Sequence, residues 1–212
     1  MIRALLISPV LLIGGCISLL PKPPPAPALY VLEAGQAQAA QRERLDAVLG
    51  VAAPEGERTI LGSDLVWRTG DSIAFVSGAQ WTGRAEDLLR NVLVTTVNDQ
   101  RLFRAAVPTG SASSNYQLRW TVQDFEVFED TMSARFSADV MVLAPGRRVI
   151  ASEHISAEAP VSDRAASAAS QALTRAAREG SARIGMFAAD AVAADIVRAM
   201  AEDQARAASI SR

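Results

Sequence analysis

The sequence has little with which to do covalent or metal chemistry. Its 212 residues include one cysteine and one histidine, and aromatic side chains make up 5%. A lone thiol forms no internal disulfide, so a disulfide-stapled scaffold is excluded. Zinc sites built from clustered Cys and His are excluded as well. Charge of one sign is also lacking: 21 basic residues stand against 23 acidic ones, a net of −2. That balance lacks the basic footprint of a nucleic-acid binder and is not acidic enough to read as disordered. Half of the residues are apolar by type, but about forty are alanine, so bulky core-forming side chains are scarcer than the total suggests. The length still affords one domain.

The only long apolar run is short for a membrane span. Arg3 is the sole charge before Lys22, and Ala4 to Ile13 follows it. Ten residues at 1.5 Å each reach about 15 Å, half of the ~30 Å hydrocarbon core, so residues 1–15 read as a cleaved signal peptide. The run ends in Ile13-Gly14-Gly15-Cys16, which resembles a bacterial lipobox. Small residues let the extended backbone enter a peptidase cleft, and the thiol takes the diacylglyceryl group. Cleavage is expected between Gly15 and Cys16, leaving lipidated Cys16 as the first residue. More than one acyl chain gives stable anchoring without any other membrane element. Ile17 follows, and resemblance to exported lipoproteins implies that the absence of Asp there permits sorting to the outer membrane.

Residues 16–28 carry five prolines between Pro21 and Pro27 and read as an extended tether. Residues 29–200 are expected to form the folded domain, and residues 201–212 a frayed tail. Ala28 to Leu32 is a short strand candidate, and the stretch through Arg44 a loose helix or loop. Strands are expected at Asp46 to Val51, Arg58 to Arg68 and Ser72 to Ser77, separated by Pro54-Glu55-Gly56 and Thr69-Gly70-Asp71. A helix should open after Trp81, capped by Thr82 or Gly83, with Glu86 and Asp87 in its first turn. Leu88, Leu89, Val92, Leu93, Thr96 and Val97 recur at three and four and form its buried stripe.

Alternation is clearest from residue 116 onward. Leu118, Trp120 and Val122 alternate with polar neighbours, then the phase changes to Phe125 and Val127, which predicts a bulge near Gln123-Asp124. Glu129-Asp130-Thr131 is the expected turn. Met132 to Val142 and Val149 to Ala157 alternate in turn, so residues 116–159 read as an antiparallel meander. Ser162 or Asp163 should cap an alanine-rich helical segment reaching about Arg206. Its core stripe is Leu173, Ala177, Gly180, Ile184, Phe187 and Ala191. The rotated stripe Val192, Ile196 and Met200 predicts a bend or a second helix after Asp190. The fold class is therefore α/β with α+β character: a mixed or antiparallel sheet with a three-stranded meander, one central helix and long C-terminal helices packed on it.

Candidate chemistry is sparse. A catalytic triad would have to use His154, which shares a strand face with Ser152, Ser156 and Glu158, opposite the apolar positions. No nucleophile elbow, phosphate loop or dinucleotide fingerprint occurs. Glu129 and Asp130 sit at a turn, where solvated acids are ordinary. Arg175, Arg178 and Arg183 read as a solvated helix face. Trp67, Trp81 and Trp120 are core candidates that could equally form a partner or ligand contact. No metal, no cofactor and no enzymatic activity are expected.

The pattern resembles the auxiliary lipoproteins of ABC-type transport systems, the family that includes the paraquat-inducible protein C type. The resemblance runs from about Ala28 to Ala194 and rests on Cys16 with Ser18-Leu19-Leu20-Pro21, Tyr30-Val31-Leu32, Leu61 to Arg68, Gln80-Trp81 before Leu88-Leu89, and Tyr116-Gln117-Leu118 leading to Asp124-Phe125. It implies a periplasmic domain held to the inner leaflet of the outer membrane, working beside a membrane-spanning MCE-type protein in lipid or hydrophobic-compound traffic. The ATPase and permease would be separate chains, and homo-oligomerisation is implied by analogy. A second reading is a carrier that binds lipid in its own pocket, in space left by the alanines facing the sheet.

Overall fold

The structure is a computed structural model that describes residues 25–210. Nine strands and three helices follow in chain order. They are β1 (Ala28–Tyr30), β2 (Leu45–Val51), β3 (Glu55–Gly56), α1 (Arg58–Leu61), β4 (Asp64–Thr69), β5 (Ser72–Trp81), α2 (Ala85–Asp99), β6 (Phe103–Pro108), β7 (Tyr116–Phe128), β8 (Ser133–Ala144), β9 (Arg148–Pro160) and α3 (Ala166–Ile210). All nine strands join one mixed sheet. The expected meander is β7, β8 and β9, paired antiparallel throughout. The phase change in β7 is a bulge, with the β7–β8 register shifting between Val122 and Asp124. One extra residue returns Phe125 and Val127 to the buried side of the sheet.

The other edge of β7 is shared along its length. β2 pairs with Tyr116 to Leu118, β3 with Thr121 and Val122, and β4 with Val127 and Phe128, all parallel. Beyond them β6 pairs parallel with β2, β5 antiparallel with β4, and β1 parallel with β5. Side chains bond to backbone groups on two of the edge strands, β6 and β9. Asn98 grips β6 at both groups of Ala106, donating to its carbonyl at 2.9 Å and accepting its N–H at 2.8 Å. On β9, Arg175 donates to the Pro160 carbonyl and Arg183 to that of Ser156, each at 2.7 Å. These bonds block strand addition at edges that would otherwise template it. Together with Arg178, which donates to the Glu33 carbonyl at 2.6 Å, these arginines tie α3 to its neighbours rather than lining a purely solvated face.

Three local expectations are corrected. Residues 58–61 form the helical turn α1, not the start of a strand; it buries Ile60 and Leu61, and the strand opens only at Asp64, beyond Gly62. Neither Thr82 nor Gly83 caps α2. Arg84 holds that position without a side-chain bond, and the Ala85 N–H donates to the Gly62 carbonyl at 2.8 Å. The C-terminal segment is one unbroken 45-residue helix with no second helix after Asp190. Just ahead of it, Asp163 Oδ1 accepts the Ala165 N–H at 2.7 Å.

α2 and α3 lie on one sheet face. The α2 stripe holds as read, with Leu89, Val92, Leu93, Thr96 and Val97 buried and Leu88 partly so. α3 contributes a seam of small residues: Ala169, Ala172, Ala176, Ala177, Ala188 and Ala189 are all fully buried. At Gly180 and Gly185 it passes close to Phe136 and to Gln100, with no room for a Cβ. Small side chains bring the helix axis against the sheet along this seam.

Candidate functional site

Direction along the sheet separates two ends of the domain. α3 runs antiparallel to β9: Arg175 meets Pro160 at the end of that strand, and Asp195 meets Arg148 at its beginning. β5 also runs against β9, and β1 runs with β5. The chain therefore enters β1 at the end where α3 begins. α3 spans about 68 Å at 1.5 Å per residue, against about 43 Å for the 13 residues of β7. The excess projects from the opposite end, where residues 197–209 are exposed, with Val197 at 66% and Met200 at 61%.

The root of this projection is an ionic cluster. The Asp195 side chain is 5% exposed and accepts from Arg148 Nη2 at 2.9 Å, from Arg198 and from the Tyr116 hydroxyl at 3.3 Å. Burial opposes its charge, but the two guanidiniums outweigh that and hold its carboxyl below the usual value. Burial beside Asp195 raises the Tyr116 phenol. Arg148 ties the last part of α3 to the start of β9, and Tyr116 ties it to β7.

At the other end, the sheet face turned away from α2 and α3 carries a second cluster. Glu126 is fully buried and accepts from Arg68 Nε at 2.6 Å, while its second oxygen has no protein partner. The hydrogen bond to Glu126 raises Arg68. Phe128 lies under two guanidiniums, 4.2 Å from Arg135 and 5.8 Å from Arg68. Arg135 pairs with Glu158 at 2.7 Å, and Arg164 pairs with Glu129. Glu129 also accepts from the Thr69 hydroxyl, so this acid of the β7–β8 turn is a tie between loops.

The residues singled out in the sequence are distributed through the chain. Gly15 and Cys16 lie outside the described residues. Trp81 is 2% exposed and stacks on Phe125 at 5.7 Å. Trp120 is equally buried, donates Nε1 to the Ala52 carbonyl at 2.9 Å and lies 6.2 Å from Phe136. Both are interior side chains, so among the three only the half-buried Trp67 reaches the surface. His154 is 57% exposed, and its Nδ1 lies 2.7 Å from Asp139 Oδ1. Gln123 Nε2 donates to the other Asp139 oxygen at 2.8 Å. Bonds from His154 and Gln123 hold the Asp139 carboxyl below its usual value. The row is a polar tie across β7, β8 and β9. An open cavity of ≈ 710 Å³ beside it, between β9 and α3, has Ile155, Met186 and Phe187 among its lining and charged residues around them. Among the described residues no group of three or more His, Cys, Asp or Glu could hold a metal, and no helix is long and apolar enough to cross a membrane.

A family model, described as the ABC-type transport auxiliary lipoprotein component, matches residues 30–185. The chain belongs to this family. A Xanthomonas campestris protein of the DUF330 family model superposes with a TM-score of 0.74 at 21% identity, covering 79% of this chain and 98% of that one. A second solved structure, of an uncharacterized protein, superposes at 0.63 and 17% identity, covering 77% and 99%. These likenesses show the shared fold. No curated protein matches. The matched span ends at residue 185, so the projecting end of α3 lies beyond it.

Proposed function

We propose that this auxiliary component is a non-enzymatic adaptor of an ABC/MCE-type system for lipids or hydrophobic compounds. Acylated Cys16 anchors it to the inner leaflet of the outer membrane, facing the periplasm, and its domain positions an MCE-type protein whose permease and ATPase are separate chains. The observation that carries this reading is the placement of opposite roles at opposite ends. The chain enters at one end of the domain, and α3 projects from the other with Val197 and Met200 uncovered. Such a shape holds one end near a membrane and offers the other, about 68 Å away along the helix, to a partner. The carrier reading has less support, because the buried alanines pack α3 against the sheet and the cavity beside them, between β9 and α3, is open and rimmed by Glu153, Glu179, Arg183 and Asp190.

The test is site-specific photo-crosslinking in intact envelopes. Amine-directed reagents suit this chain poorly, since Lys22 is its only lysine. A photoreactive residue in place of Met200 should give an adduct with an MCE-type or permease component, and one in place of Phe75 should not. Adducts only between copies of this chain, or none, would overturn the adaptor reading.

A further inference from the structure

The end where the chain enters carries exposed apolar side chains that the adaptor role leaves unused. Leu29 and Val31 are 63% and 55% exposed on and just after β1, and Ile73 and Phe75 are 37% and 55% exposed on β5. Register places three of them on one face. Leu29 aligns with Gln80 and Gln80 with Asp64; Phe75 aligns with Val66 and Ile73 with Arg68. Asp64, Val66 and Arg68 alternate along β4, so Leu29, Phe75 and Ile73 all point away from α2 and α3. Val31, just beyond β1, borders an open cavity with Tyr30 and the first turns of α3 and is not counted in that row.

We propose that this patch docks on the surface of the phospholipid bilayer in which the chain's own N-terminus is anchored. The inference rests on acylation of Cys16. Ala28 lies twelve positions after Cys16, a reach of at most ~40 Å even when fully extended. The patch is thus held beside the bilayer, and its docking is an intramolecular event at high effective concentration. Apolar insertion is the driving force, because the neighbouring arginines are already paired with carboxylates: Arg68 with Glu126, Arg135 with Glu158 and Arg164 with Glu129. Anionic headgroups are therefore not required. Docking here would direct the projecting end of α3 away from the membrane.

The experiment uses the full, acylated chain reconstituted in phosphatidylethanolamine/phosphatidylglycerol vesicles. With Cys16 consumed by its thioether, Phe75→Cys supplies the one free thiol for an environment-sensitive fluorophore, and Met200→Cys serves as the distal comparison. Spin-labelled lipid should quench the label at 75 and spare the label at 200. Quenching should persist in 1 M salt, where the Debye length falls to ~3 Å. Adding Leu29→Ser should lower the docked-to-undocked ratio about tenfold, as expected for withdrawing one apolar side chain from contact with lipid. These positions are exposed, and an unchanged near-ultraviolet spectrum from Trp81 and Trp120 reports the intact fold. Equal quenching at both positions, quenching abolished by salt, or self-quenching between copies without lipid quenching would each overturn the proposal. Mass spectrometry of the same sample separates the two inferences. Acylated Cys16 without lipid quenching overturns docking alone, whereas an unacylated chain overturns the anchor and the docking with it.

Discussion

Gly180→Ala tests whether the small-residue seam of α3 is a packing requirement. The added Cβ would sit 2.5 Å from Phe136 Cε1 and closer still to Cδ1. Phe136 is fully buried, with Trp120 near its ring, so the ring has no room to swing aside. Two effects oppose each other. Alanine in a helix interior gains about 1 kcal/mol over glycine, while forcing a methyl group into a filled core costs about 1–3 kcal/mol, and more where nothing yields. A Cβ this deep inside van der Waals contact lies at the upper end of that range, so the net expectation is a loss of about 1–2 kcal/mol. At roughly 2–4 °C per kcal/mol for a domain of this size, Tm should fall by about 2–8 °C in a thermal melt followed by circular dichroism. Phe136→Leu removes ring atoms, so in that background Gly180→Ala should cost less than it does alone, a positive coupling in a double-mutant cycle. A Tm that is unchanged or raised in the single variant, or strict additivity in the cycle, would refute the close-packed seam.

Asp195→Asn should lower stability at neutral pH by about 1–2 kcal/mol, discounted because both arginine partners are half exposed. Asp195 has a depressed carboxyl pKa, so its contribution is present above the ordinary Asp range and is lost as pH falls through the folded value; chemical denaturation at neutral and strongly acidic pH should show the wild-type advantage shrink. Arg68→Ala should cost about 3 kcal/mol by leaving Glu126 buried without its partner, and Arg68→Met with Glu126→Leu should recover most of that in urea titrations. Asn98→Ala removes both bonds that cover Ala106, so about 1–2 kcal/mol should be lost and light scattering should reveal faster aggregation through the uncovered edge of β6.

Much of the fold was legible because a strand with one buried face must alternate and a helix on a sheet must repeat at three and four. The bulge at Val122–Asp124 shows this well: a phase change in the apolar pattern requires an extra residue wherever the same face stays buried. The α2 stripe was legible for the same reason. Residues 58–61 were misread because four residues are too short to display a period, and tertiary contacts of Ile60 and Leu61 decide their conformation. That α3 is a single helix was not legible because alanine suits either face of a helix, which blurs the stripe from which a bend or a second helix was expected. The arginines of α3 could not be matched to the Pro160, Glu33 and Ser156 carbonyls from spacing alone, since backbone acceptors carry no sequence signature.

By itself the sequence determined what this protein lacks, the order of its elements, the alternating meander and the expectation of a lipid-bearing Cys16. Those properties reside in residue types and local periods, which act over a few neighbouring positions. Tertiary structure alone decided that β2, β3 and β4 share one edge of β7, that the buried alanines form a seam holding α3 against the sheet, and that the chain enters opposite the projecting end of α3. Each depends on which distant surfaces meet, and the free energy of such contacts is set by shape and burial between segments rather than within any one of them.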